Sequence, residues 1–103
     1  MRYYSTRDNT LRITASEAVK MGLSRDGGLL TPEAIPQIDE AFLRSLMDAG
    51  YQTRAAKVMA LYLTDYSEEE LLGFANNAYG PDKYGHPAAA PLRKVDGSTH
   101  CLE

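Results

Sequence analysis

Two histidines, one cysteine, four lysines, an acidic triplet and a glycine pair are the residues of this chain that could do chemistry. His86 and His100 are the only histidines, and Cys101 follows the second. Zinc takes three or four ligands in spacings such as Cys-x-x-Cys or His-x-x-x-His, and neither spacing occurs. A Cys–His nucleophile pair needs both groups on one face. Neighbours on a strand point to opposite faces, so His100 and Cys101 do not meet, and His86 sits in a solvated loop. Glu68-Glu69-Glu70 could suggest a cation site, but hard cations want oxygen ligands converging from a loop. Ser67 with Glu70 three residues later is instead a capping box, and its carboxylates meet the positive end of a helix dipole. Asp26-Gly27-Gly28 could suggest a phosphate cradle. Such loops carry a further glycine and open directly into a helix, whereas Leu29-Leu30 follows here, so the reading is a tight turn.

The elements that position these residues read as follows. Arg2–Thr6 suits a strand, broken by Asp8-Asn9. Thr14 and Glu17 form a capping box for a first helix, which Gly22 ends in the left-handed conformation. After the Asp26-Gly27-Gly28 turn, Leu29-Leu30 is expected to go inward. Thr31 then caps, with Pro32 at the first helical position, and Pro32–Ile35 makes one helical turn that Pro36 stops. Asp39 caps a helix with Phe42, Leu43, Leu46 and Met47 inward, closed by Gly50. Thr53 caps the next helix, Arg54 to about Leu63, whose apolar residues mark it as the most buried; its methionines are core filler. The helix after Ser67 buries Leu71, Leu72, Ala75, Ala78 and Tyr79 and stops at Gly80-Pro81. Pro81–Pro91 is a connector. Pro91–Val95, Asp96-Gly97 and Ser98–Leu102 form a hairpin, since Asp-Gly between strand-like runs is a strong signal for one. The seven tyrosines should be mostly half-buried with wet hydroxyls. The fold class is α+β: a small helix-rich domain with a few short strands and a C-terminal β-hairpin.

The length of 103 residues suits one domain, residues 1–103, with a single core. A formal charge of −3 lacks the basic footprint of nucleic-acid binding. No apolar run is long enough to cross a membrane, and the first residues carry no secretory h-region. One cysteine fits a reducing compartment, hence the cytoplasm. There is no internal repeat. Taken alone, the residues describe a soluble domain with no self-contained active site: no catalytic, cofactor-binding or metal residue is expected in this chain.

An ordered set of segments carries a resemblance that no single motif does. It runs through Tyr3-Tyr4-Ser5-Thr6-Arg7, Ser16-Glu17-Ala18-Val19, Gly22-Leu23, Asp26-Gly27-Gly28-Leu29 ahead of Pro32, and Ile35-Pro36. It continues through Tyr51–Val58 and Pro91-Leu92 to Cys101-Leu102-Glu103. In order and approximate spacing, essentially the whole chain resembles the N-terminal domain of threonine synthase, a pyridoxal-phosphate (PLP) enzyme of the tryptophan-synthase-β fold type. The resemblance implies a parent that converts O-phospho-L-homoserine and water to L-threonine and phosphate, with PLP on a lysine as electron sink. It implies that this lysine lies in a Phe-Lys-Asp segment beyond a Leu-Glu-Leu-Phe-His-Gly-Pro-Thr-like stretch, of which Leu102-Glu103 are the first residues. None of Lys20, Lys57, Lys83 or Lys94 matches that motif, so the fragment is expected to bind no PLP and to be non-catalytic. Leu102-Glu103 can also be read as a cloning remnant. The resemblance further implies packing on PLP-binding domains, with a bare hairpin edge that favours self-association of the fragment. Two alternatives stay open: a stand-alone protein-interaction module, and the N-terminal domain of a threonine synthase-like phospho-lyase.

Overall fold

β1 (Tyr3–Ser5) is the strand on which the first half of the chain is assembled. The computed structural model describes residues 1–84, 86 and 88–103; Gly85 and Pro87, within the expected connector, lie outside the described residues. One edge of β1 meets Ile13, whose N–H and C=O both bond to Tyr3. The other edge pairs antiparallel with β2 (Leu30–Pro32), in the register Tyr3↔Pro32, Tyr4↔Thr31, Ser5↔Leu30. Between them run α1 (Ala15–Met21) and the glycine turn. Then come α2 (Glu40–Met47), α3 (Tyr51–Tyr62) and α4 (Glu68–Ala78). The hairpin β3 (Leu92–Asp96) and β4 (Thr99–Leu102) closes the described chain. The class is α+β, as the residues imply.

Side-chain chemistry starts the helices where the sequence puts the caps. Thr14–Glu17 and Ser67–Glu70 are both complete capping boxes, and Asp39 accepts the Phe42 N–H. A further anchor comes from far along the chain. The Asp65 carboxylate accepts the Ser16 N–H at 2.9 Å, satisfying an orphan donor in the first turn of α1. Gly22 ends α1 as expected, but with φ +73 and ψ −81 it takes another positive-φ conformation open to glycine rather than the left-handed helical one.

Two small apolar clusters hold the elements together. Tyr3, Ile13, Ala15 and Ala18 form one; Ala56, Leu71 and Ala75, between α3 and α4, form the other. Leu63 packs against both. Polar ties follow the same seam: the Tyr3 hydroxyl donates to the Tyr62 carbonyl at 3.2 Å, and the N-terminal ammonium to Thr64 Oγ1 at 2.8 Å. Five other tyrosines, Tyr4, Tyr51, Tyr62, Tyr66 and Tyr79, are half-buried.

Several local expectations are overturned. Leu29 is exposed and only Leu30 is half-buried. Thr31 and Pro32 are strand residues, not a cap and a helix start, because β1 offers them a partner; no helical turn forms at Pro32–Ile35. Proline is tolerated there as the end of a strand. Gly50 does not close α2; it is the N-cap of α3, which starts at Tyr51, so Thr53 lies inside the helix. Leu43 and Met47 of α2 are exposed, leaving Phe42 and Leu46 half-buried. On α3 only Ala56 is fully buried, and on α4 Ala78 is exposed and Leu72 is only partly covered, at the rim of a groove against α3. The hairpin forms, pairing Leu92 with Leu102, Arg93 with Cys101 and Lys94 with His100, but its turn is Gly97-Ser98 and not Asp96-Gly97: Asp96 pairs with Thr99 after a register shift at Val95. Every residue of it is exposed.

Among the described residues, Leu71 is the large apolar side chain that is wholly buried. Leu71→Ala is expected to lower the free energy of unfolding by about 2–5 kcal/mol in urea denaturation, and Met47→Ala, at a position 69% exposed, by a small fraction of that.

Candidate functional site

The glycine turn is the most densely bonded polar site in the N-terminal half. Leu23 and Leu29 form an isolated antiparallel bridge, and Ser24 N–H donates to the Gly28 carbonyl at 3.0 Å. Arg25-Asp26-Gly27 is thus a three-residue hairpin loop. Gly27 sits at its left-handed position with φ +77, where a side chain is strained. Gly28 is required for a different reason: a Cβ there would lie 2.1 Å from Ser5 Oγ.

Asp26 joins this loop to β1. Its carboxylate accepts the Ser5 hydroxyl, at 2.8 and 2.9 Å to the two oxygens, and the Gly28 N–H at 2.8 Å. Ser5 Oγ in turn accepts the Arg7 N–H at 3.1 Å, and Arg7 Nη1 donates to the Asp26 carbonyl at 3.1 Å. The Gly28 N–H, followed by the Ser5 and Ser24 hydroxyls and the Arg7 charge, holds the Asp26 carboxyl below its usual range. Asp8, across a shallow cavity of about 400 Å³ lined also by Leu11, Met21, Ser24 and Arg25, is lowered as well, through the Thr10 hydroxyl and N–H. Both groups are therefore ionised at neutral pH and have no proton to donate as general acids.

The turn does not suit a phosphate. Its Gly27 N–H is used by the Ser24 carbonyl at 2.8 Å and its Gly28 N–H by a carboxylate, which repels a second anion. The four lysines do no better. Lys20, Lys83 and Lys94 are exposed. Lys57 Nζ donates to the Ser45 carbonyl at 3.2 Å and lines an apolar groove of about 250 Å³, but Glu68 and Glu69 share that groove. His100 and Cys101 are adjacent on β4 and so project to opposite faces, while His86 is exposed and accepts the Ala88 N–H through Nδ1 at 3.0 Å. Among the described residues, no group of three or more His, Cys, Asp or Glu could hold a metal ion. No helix among them is long and apolar enough to cross a membrane.

Residues 2–79 match the family described as "Threonine synthase N terminus". The chain belongs to that family. Threonine synthase of Schizosaccharomyces pombe is 32% identical over 98% of this chain, which spans 20% of that protein's length. A crystal structure of PLP-bound threonine synthase from Brucella melitensis is 31% identical and superposes with a TM-score of 0.85 over 100% of this chain and 22% of that one. Threonine synthase from Escherichia coli shares the fold at 24% identity, with a TM-score of 0.81 and the same full coverage of this chain, against 23% of its own. The chain thus spans about a fifth of the length of the family members it matches.

The sequence pointed to Asp26-Gly27-Gly28 as the turn but not to Ser5 or Arg7 as its partners. Those contacts cross 21 and 19 residues, and a lone serine in a strand carries no local signal for them. The Asp65–Ser16 contact, 49 residues apart, is hidden for the same reason.

Gly28→Ala is expected to cost about 1–3 kcal/mol as an overpacked site, and Ser5→Ala in the same chain to recover part of it; unfolding of the three proteins in urea checks this. The depressed carboxyl of Asp26 stabilises the fold above its unfolded-state pKa, and that stability is lost as pH falls through the lower folded-state value. Wild type should therefore melt above Asp26→Asn at pH 6, with the difference shrinking below about pH 4 and vanishing once Asp26 is protonated.

Proposed function

We propose that residues 1–103 form the N-terminal domain of a cytoplasmic threonine synthase, which converts O-phospho-L-homoserine and water to L-threonine and phosphate with PLP. The family match over residues 2–79 carries this reading, and the PLP-bound threonine synthase structure from Brucella melitensis supports it. The chemistry of the chain's own side chains points the same way. Asp8 and Asp26 are locked as carboxylates, the glycine-turn amides are occupied, and the lysines lack an anion site. In this reading the PLP lysine and the phosphate-binding loop belong to downstream domains, and no residue of residues 1–103 is catalytic or binds the cofactor. When bound there, PLP supplies the electron sink for the elimination and hydration steps.

The domain's part is mechanical. It packs on the PLP-binding domains and presents the β3–β4 hairpin to them. A two-stranded hairpin exposed on both faces is marginal in water, which is a reason for it to be covered.

The test compares residues 1–103 with the protein extended through its downstream domains. On addition of PLP, only the extended protein should develop the Schiff-base absorbance band and release phosphate from O-phosphohomoserine. Stoichiometric PLP binding by residues 1–103 alone would place an active lysine among Lys20, Lys57, Lys83 and Lys94 and defeat the reading.

A further inference from the structure

The glycine turn reverses the usual sorting of side chains. Ser5 is 1% exposed and Ser24 7%, whereas Leu23 and Leu29 are each 61% exposed. The bridge sets Leu23 and Leu29 opposite each other, so their side chains share one face. Val19, one turn earlier in the chain, is 63% exposed. Burying a leucine side chain is worth about 1.5–3 kcal/mol, so an isolated domain would gain by turning these residues in. A one-residue slip would do it, since it moves every side chain of a strand to the other face. The Ser5–Asp26–Gly28 bonds forbid the slip: Gly28 has to face Ser5, and Leu29 therefore faces away. The polar cluster fixes two leucines on the outside.

The surface as a whole is too large for a free domain. The accessible area is 7565 Å² and the radius of gyration 16.3 Å. A chain of this mass that folds alone exposes about 5,800 Å² and has a radius near about 13 Å. The excess of roughly 1,800 Å² is about twice what one partner buries in a standard protein complex, about 800 Å².

We propose that the Leu23–Leu29 face is a docking seat for the segment that follows Glu103 in the longer protein. This rests on the threonine synthase reading, under which that segment makes up about four-fifths of the polypeptide. A tethered segment within reach of the face meets it at an effective concentration that dilution does not lower. A second copy has no such advantage, which makes the downstream segment the occupant.

Leu29→Cys in a Cys101→Ser background tests this without removing the turn's polar bonds. The rate of maleimide labelling at residue 29, read by peptide mass spectrometry, is compared between residues 1–103 and the extended protein, both folded by circular dichroism. At least tenfold slower labelling in the extended protein is expected. Equal rates overturn the proposal. So does slow labelling in residues 1–103 that sets in as concentration rises, which assigns the face to a second copy. Phosphate release from O-phosphohomoserine by the extended wild type is measured separately. Its absence would defeat the threonine synthase reading, while the labelling ratio still reports whether this face is covered.

Discussion

The approach of Gly28 to the Ser5 hydroxyl is the constraint on which the N-terminal half depends. No side chain fits at residue 28, because its first carbon would meet Ser5 Oγ at 2.1 Å. With that approach allowed, Asp26 reaches both Ser5 and the Gly28 N–H, and the loop is tied to β1 on its buried side. The consequences propagate along the backbone. The Thr6 N–H bonds the Leu29 carbonyl at 2.9 Å, Leu30–Pro32 continue the ladder as β2, and the Glu33 N–H ends it on the Arg2 carbonyl at 2.9 Å. A steric vacancy, one carboxylate and a strand register thus form a single device.

The rest of the domain hangs from β1 by fewer contacts. Tyr3 bonds Ile13 on one side and reaches Tyr62 with its hydroxyl, and Asp65 holds the first turn of α1. Leu63 is shared by the two apolar clusters, so α3 and α4 are coupled to the strand region largely through one side chain and these polar ties. With few side chains fully buried, the hydrophobic contribution is modest and each such tie matters more. The same economy leaves apolar surface on α1, α2 and the hairpin bare. That is the form expected of a domain built to be part of something larger, and it agrees with membership of the threonine synthase N-terminal family.

Local chemistry was legible in the sequence wherever a short segment decides its own structure. Both capping boxes, the Asp39 cap, the end of α1 at Gly22 and the C-terminal hairpin are decided within a few residues, and each stands in the structure, the hairpin with its turn one residue later than expected. What failed were judgements that need a partner. Thr31-Pro32 looks like a helix start until β1 lies beside it; Leu29 looks like a core residue until Gly28 has to face Ser5. Gly50 and Thr53 changed roles because α3 begins before its first good capping side chain, on a glycine with no side-chain bond. The helix faces were overestimated as core for a related reason. Amphipathic spacing says which side is apolar, and nothing in it says whether the surface that covers that side lies within residues 1–103.

Native-state hydrogen exchange at the Gly28 amide tests the central claim most directly. If the Ser5–Asp26–Gly28 bonds govern the register of β1 and β2, this amide opens only with the strand itself. It should exchange as slowly as the amides of Tyr3 and Ile13, in spite of lying in a loop. Exchange of Gly28 at the rate of the exposed β3–β4 amides, with Tyr3 still protected, would contradict the account: the turn would then be an ornament on a strand pair that holds without it.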